Sequence, residues 1–497
     1  MRISVFSVRS LRWSAAVLVL LLGACATVEL PERHLQSREP AVQDCAQWFV
    51  AKDAAIDAAG VRDHEAWPVP GFPYLRSTRF LASFAAETAG DAQRTRDWLG
   101  HLRDADLKAR AAEFRNLDAD TAAAEKHRAR AGQCGEILMR ADLADAQAMA
   151  TLRARVQVPD AYKDWQRVMG FYALSRIPFA GGVAQWHAEA REMFRRAREG
   201  APAAHPLERY GPPAASGYTR AEVSALLART ARDPLGMPQL TADEQARLLQ
   251  TYAPVFEVET TGDYDRPGIL RWGNEEHPLV DRSHPAVYHR LAHVRYQGRT
   301  LLQLVYTIWF SERPADHAFD MLAGKLDGLV WRVTLGPDGS PLLYDTMHPC
   351  GCFHMFLPTP AAKLKPPPDP GDEWAFVPAE MPAAGEGERI RLRLLTRSHY
   401  LVDATADRTG QSATPYRMLA ESELRSLPLP AGGFRGIYVE DGLVPDTDRP
   451  ERMLFWPMGI PSAGAMRQWG NHATAFLGRR HFDDADLIEQ RFELKLP

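Results

Sequence analysis

An α+β architecture is what the sequence predicts: an N-terminal all-helical domain, then a mainly antiparallel β domain carrying C-terminal helices. Three observations predict it. From residue 42 to 253 the chain is rich in Ala, Arg, Glu, Asp and Leu, residues that lose little freedom in a helix. At Phe256 the texture changes to short runs of β-branched and aromatic residues separated by turn signals, the pattern of strands. Between the two lies a Pro-, Gly- and Ala-rich stretch, 201–217, that reads as a linker.

Within the helical domain, 25–200, helices are expected near 44–59, 78–89, 95–114, 119–131, 135–156, 160–175 and 183–198, the first stopped by Gly60. The run Pro70-Gly71-Phe72-Pro73 interrupts them as a loop. In the intermediate segment, 201–255, Thr219-Arg220-Ala221-Glu222 and Thr241-Ala242-Asp243-Glu244 fit the capping box, where threonine and glutamate satisfy orphan amides, so two short helices follow the linker. The β-rich domain, 256–497, has strands expected at 256–260, 287–296, 301–310, 329–335, 341–346 and 390–400, with turns at Gln297-Gly298 and 336–339. Ile390, Leu392 and Leu394 alternate with Arg389, Arg391 and Arg393, giving one buried face and one solvated cationic face. Residues 358–382 are proline-rich and cannot form a central strand, because proline has no amide donor, so they are expected as a surface loop. Residues 462–492 are expected as one or two helices, with Asp483, Asp484 and Asp486 at a helix start, where the dipole favours carboxylates.

The first residues carry a different message. Arg2, Arg9 and Arg12 precede an apolar run ending at Leu22, the layout of a secretory signal too short to span a bilayer. Leu22-Gly23-Ala24-Cys25 then places small residues directly before a cysteine, and this segment resembles the bacterial lipoprotein lipobox. The resemblance covers residues 1–25 only. It implies that residues 1–24 are a removed signal peptide, that Cys25 is alkylated by a diacylglycerol and its new amine acylated by a chain such as palmitate, and that the partner is a lipid membrane. Several acyl chains at ~0.8 kcal/mol per methylene make a durable anchor. Ala26 stands where an aspartate would signal inner-membrane retention, so the resemblance implies the outer membrane, facing the periplasm. The competing reading is an ordinary signal peptide with a chance cysteine. The formal net charge of −4 becomes more negative once the signal arginines are lost, which excludes a nucleic-acid binder by bulk charge. No second long apolar run follows, so the mature chain is expected to be soluble apart from its anchor.

With Cys25 lipidated, Cys45, Cys134, Cys350 and Cys352 remain, an even number in an oxidising compartment. Cys45 and Cys134 sit in helical sequence far from the other two, which predicts a Cys45 to Cys134 disulfide; two buried free thiols are the alternative.

The most unusual local sequence is Met347-His348-Pro349-Cys350-Gly351-Cys352-Phe353-His354-Met355. Its thiols, imidazoles and thioethers suit copper, and Cys with His also suits zinc, so His348, Cys350, Cys352 and His354 are the candidate metal ligands. On a regular strand the outer pair would lie ~20 Å apart and could not share one ion. Pro349 and Gly351 favour a kinked loop that gathers two or three ligands. His317, His399, His472 and His481, with Asp320, Asp403 and Asp483, are candidate partners from elsewhere. His289 and His293, spaced for a helical chelate, fall in a predicted strand where they are ~13 Å apart, and are discounted. Two other readings stand beside the metal: a strained, oxidising Cys-Gly-Cys disulfide, and an inert structural pair. The Cys-X-X-Cys of thioredoxin-like enzymes, serine-hydrolase elbows, phosphate-binding loops and His-Glu-x-x-His are all absent from the sequence. Trp309, Trp331, Trp456 and Trp469 read as packing, and Arg479 to Asp484 as a salt-bridged surface.

Two function hypotheses follow. One is a periplasm-facing, membrane-anchored lipoprotein that binds copper or zinc through the His-Pro-Cys-Gly-Cys-Phe-His segment, with catalysis left open. The other is a non-catalytic envelope lipoprotein, a partner-binding or structural module, in which the two cysteines form a structural or redox disulfide.

Overall fold

The computed structural model describes residues 32–496 apart from 119, 215, 216, 370, 383, 384, 386, 409 and 410. Cys25 and the expected signal peptide, residues 1–24, lie outside the described residues. Among the described residues no helix is long and apolar enough to cross a membrane.

The helical part comprises α1 (Glu32–Leu35), α2 (Pro40–Ala58), α3 (Arg79–Ala82), α4 (Ala92–Leu117), α5 (Thr121–Leu143), α6 (Ala146–Arg155), α7 (Asp164–Met169) and α8 (Tyr172–Arg198). Aspartates 91, 120 and 145 cap α4, α5 and α6 by accepting backbone amides, which satisfies donors a helix start leaves free. Phe49, Trp98, Phe114 and Leu138 fill the core between these helices, and there Cys45 of α2 and Cys134 of α5 are joined by a disulfide. A hairpin, β1 (Trp67–Val69) and β2 (Phe72–Ser77), packs against α4 and turns at Gly71, so the expected loop at Pro70 to Pro73 is the tip of a sheet. α5 runs through Gly132 and Gly135 without the expected break, because packing of its apolar face outweighs the modest cost of helical glycine. The helix expected at 160–175 instead breaks at Gly170 and Phe171, and α8 starts eleven residues before the expected 183.

The expected linker contains a strand. β3 (Leu207–Gly211) pairs antiparallel with β4 (Val255–Glu259) across α9 (Arg220–Arg229) and α10 (Ala242–Tyr252), both of which start with complete capping boxes. Next come β5 (Ile269–Trp272), β6 (Pro278–Asp281), β7 (Ala286–Tyr296), β8 (Arg299–Arg313), β9 (Gly324–Leu335), β10 (Pro341–Met347), β11 (Met355–Pro358), β12 (Ala362–Leu364), β13 (Ile390–Leu394), β14 (Leu401–Ala406), β15 (Thr414–Pro415) and β16 (Arg417–Ala420). Six strands form one sheet in the order β11-β10-β9-β8-β7-β16, and five another in the order β14-β13-β4-β3-β15. Most pairs are antiparallel, but β16 with β7, β13 with β4 and β15 with β3 run parallel. The two sheets share a core with α9 and α10 around Tyr306, Trp331, Phe256 and Leu392. The arginines of β13 are not a solvated face: Arg391 and Arg393 pair with Asp403 and Glu259, and Arg389 donates to carbonyls at the end of α10.

The C-terminus departs furthest from expectation. α11 (Arg452–Phe455) and a 3-10 turn at Trp456–Met458 precede the range 462–492, within which the described residues form one short helix, α12 (Leu487–Arg491), and residues 463–475 form an irregular loop buried along its whole length. Its amides and side chains bond to other loops: Arg467 N donates to Pro349 O, and Gln468 N to Gly442 O. A buried backbone must find partners, and here these come from distant segments in place of helix geometry. Asp483 and Asp484 hold Arg79 and His481 rather than a helix start.

Candidate functional site

The Cys-Gly-Cys segment is the connection between β10 and β11. The antiparallel pairing ends at Thr346 with Met355, and the chain between closes as a tight turn in which His348 N donates to Cys352 O (3.0 Å) and Gly351 N to His348 O (2.8 Å). Gly351 adopts φ +94°, and a Cβ there would lie 2.4 Å from Ala473 O. Only glycine meets both demands. Pro349 O is held by Arg467 N and by His472 Nε2 (3.0 Å), so the buried loop fixes the turn from outside.

This turn brings the two thiols together. Both are unpaired and buried, Cys350 at 3% and Cys352 at 9% exposure, and the Cys352 amide donates to Cys350 Sγ at 3.4 Å. They belong to a cluster with Trp309, Leu326 and Met466. A hydrogen bond from Cys352 favours the thiolate of Cys350, whose pKa is lowered, aided by Arg449; the same bond, burial and the adjacent negative charge push Cys352 well up. Glu451 beside them is pushed up to about 7 by burial, against the pull of Arg449 and Arg313.

His348 faces inward from the same turn. Its Nδ1 donates to Asp327 Oδ1 (3.0 Å), and its Nε2 is buried without a partner. Asp327, on β9, takes a second imidazole: His399 Nδ1 donates to its other oxygen at 2.9 Å, and His399 Nε2 lies 3.4 Å from Asp265. Burial opposes charge on His399, but the two carboxylates outweigh it and its pKa is raised; His348, with one carboxylate and two nearby arginines, is lowered by burial. Asp327 is held well below the usual carboxylate range, because the two imidazoles and Arg449 overcome its burial. In this array the two carboxylates favour the charged form of His399, burial favours the neutral form of His348, and the Nε2 of His348 is left without a partner. A ring fixed through Nδ1 by a carboxylate is how metal-binding and basic histidines are oriented.

His354 is not part of this group. It has turned to the opposite side of the hairpin, where Nε2 donates to Asp345 (3.0 Å) beside Arg332 and its pKa falls to about 3 through burial. Among the described residues, no group of three or more His, Cys, Asp or Glu side chains is disposed to hold a metal ion. Of the four predicted ligands, the structure gathers the two thiols and His348 in one turn and leaves His354 outside it. Of the candidate partners, His399 joins the array and His472 braces the loop. His317, His481, Asp320, Asp403 and Asp483 make their hydrogen bonds or ion pairs elsewhere or lie on other surfaces. His289 and His293 sit on strand β7, as their discounting required.

Asp327, Asp265, Arg449 and Glu451 were not singled out from sequence. The one usable signal was Asp327 itself, an acid inside the apolar run from Leu326 to Val330, since a buried carboxylate needs a partner. A second feature, a cleft of about 320 Å³, lies where the helices meet the six-stranded sheet, lined by Glu65, Lys108, Arg290, His293, Trp469 and Asp483. Arg290 and Glu65 pair across it at 2.8 Å, and the Arg290 guanidinium lies over Trp469. Its strongest charges thus neutralise one another. Compared with protein-family models, with curated proteins and with solved structures, the chain has no match, so the reading of this site rests on its own residues and geometry.

Proposed function

We propose that this protein is an envelope lipoprotein, anchored through acylated Cys25 at a membrane facing the periplasm, that binds one soft monovalent cation of the copper(I) class between Cys350 and Cys352. The observation that carries the reading is the pair of unbonded sulfurs held in a single turn, with the Cys352 amide on Cys350 Sγ. Two thiolates are a sufficient donor set for copper(I), and the same turn carries His348, whose Nε2 is buried without a partner. Zinc, which takes four ligands in structural sites, finds no such set among the described residues. Burial favours an ion over disulfide exchange, because exchange needs a partner sulfur to approach the attacked sulfur directly, and these thiols are nearly closed off.

Anaerobic titration of the mature protein with copper(I) against a colorimetric chelator tests this. One equivalent retained by the native chain and none by Cys350→Ser/Cys352→Ser is the expected result; equal competition by both proteins would overturn it. The unequal proton affinities of the two thiols favour a second reading, a redox dithiol. It is tested by counting free thiols before and after mild oxidation without metal: loss of two per chain, reversed by reductant, supports it.

A further inference from the structure

The large apolar side chains left in water are concentrated in one place. Trp165 (59% exposed) and Val168 (73%) on α7, Phe171 (72%) at the α7–α8 break, Leu174 (68%) and Ile177 (67%) on α8, and Met453 (76%) on α11 lie on adjoining elements. Trp165 meets Trp456 at 5.6 Å between ring centres, and Phe179 meets Phe455 at 5.3 Å, which ties the helices together. From Phe171 to Ala188 the only formally charged residue is Arg176. The second half of α8 is different: it is charged, and it seats Ala190 and Phe194 in the core. One helix therefore docks by its C-terminal half and presents an apolar N-terminal half to solvent. A patch of this size on a soluble surface marks a contact site.

We infer that this face lies on the surface of a lipid bilayer. The inference rests on the acyl-anchor reading, and two features favour lipid over another occupant. Cys25 stands seven residues before Glu32, so a lipid on it leaves the fold at most about 25 Å from the bilayer. The patch also has an interfacial composition, a tryptophan with aliphatic side chains. The charges at its edge are largely matched within the protein, Arg176 by Asp372, Asp164 by Arg479 and Arg452 by Asp448, while Arg167 is bonded to the carbonyls of Met458 and Gly478, so the attraction to a bilayer would be apolar rather than electrostatic. The face would enter the headgroup region in plane and hold the molecule in one orientation, which a flexible acyl tether cannot do.

The test uses the mature chain with Cys25→Ser, which carries no acyl group, and vesicles of phosphatidylethanolamine with phosphatidylglycerol. Co-sedimentation and a blue shift of the exposed Trp165 are expected. Leu174→Glu/Ile177→Glu should weaken partitioning by roughly ten-fold or more with an unchanged melting temperature, since both side chains are already in water. Absence of vesicle binding, or equal binding by the variant, would overturn the inference. So would a stable dimer in scattering measurements that the same variant dissociates, because the face would then belong to a second copy. Mass spectrometry of the membrane-extracted protein reads the anchor separately: an unmodified Cys25 defeats the anchor reading, while vesicle binding by the non-acylated chain stands or falls on the patch.

Discussion

The two cysteine pairs differ in their surroundings more than in their burial. Cys45 and Cys134 come from two helices, sit in an apolar core beside Phe49 and Leu138, and are bonded. Cys350 and Cys352 come from one turn, are as deeply placed, and remain thiols beside Arg449, Arg467, Glu451 and an Asp327-bound histidine. A sulfur surrounded by hydrocarbon has only packing and a covalent partner available to it. One that has a second thiol and titratable or charged groups beside it has its proton affinity shifted by them, and that is a condition for thiolate chemistry. The first pair therefore links two helices of the helical domain, and the second stands as two free thiols of unequal proton affinity.

The largest effect should separate the two pairs directly. Cys45→Ala/Cys134→Ala opens a link spanning 89 residues, and loss of that restraint on the unfolded chain should cost about 4 kcal/mol in chemical denaturation. Cys350→Ser/Cys352→Ser, near-isosteric and restraining nothing, should cost no more than about 1 kcal/mol while abolishing copper(I) retention. Equal stability losses would erase the distinction.

Acid unfolding compares the two regions next. His34 in the helical domain and His472 behind the second pair are both buried, with pKa values lowered to about 4 and about 3, chiefly by burial, with Arg33 and Arg467 respectively adding to it. A ring that folds neutral binds fewer protons than it does unfolded between its two pKa values. Its contribution is therefore complete above the unfolded value near 6.5 and is lost as pH falls through that window. At pH 5 each should have lost about 2 kcal/mol. Melting temperature should fall from pH 7.5 to 5, and His34→Gln or His472→Gln should flatten that fall; an unchanged slope in both would show that neither ring sets it. His399 and His481, raised by their carboxylates, act in the opposite sense, contributing below 6.5 and fading as pH rises.

Gly351→Ala tests the turn itself. It imposes a side chain at φ +94° and drives its Cβ against Ala473 O, and should cost about 2 kcal/mol, with weaker copper(I) retention because the thiols lose their register. Retention unchanged at reduced stability would detach the turn from the binding.

Much of this was legible before the fold was known, and the rest was hidden for a physical reason. The change of texture at Phe256 and the capping boxes at Thr219 and Thr241 are local signals, and the structure answers them with sheets and capped helices. β3 and the buried loop 463–475 are stabilised by partners far along the chain, β4 for one and Pro349 and Gly442 for the other, and no local pattern announces a non-local bond. The same divide runs through the site. The Cys-Gly-Cys turn is contiguous and stands out by composition, whereas Asp327 reaches His348 from another strand, and Arg449 and Glu451 arrive from the loop before α11. The spacing groups His354 with the thiols, but the chain rejoins a strand at Met355 and carries the ring just before it to Asp345.

The smallest effect is the most specific. His348→Gln keeps a donor for Asp327 but replaces the buried, partnerless Nε2. If that nitrogen completes the coordination of an ion between the sulfurs, copper(I) affinity should fall by about ten-fold, or about 1.4 kcal/mol, with little change in melting temperature. Asp327→Asn serves as the companion: it keeps an acceptor for the ring but removes the charge that raises ligand basicity, and loss of such a supporting partner costs roughly 10- to 100-fold in affinity. A loss in the first variant that the second reproduces places His348 on the metal and Asp327 behind it. Affinity unchanged in His348→Gln confines the ion to the two thiols and leaves the Asp327 array as scaffolding for the turn.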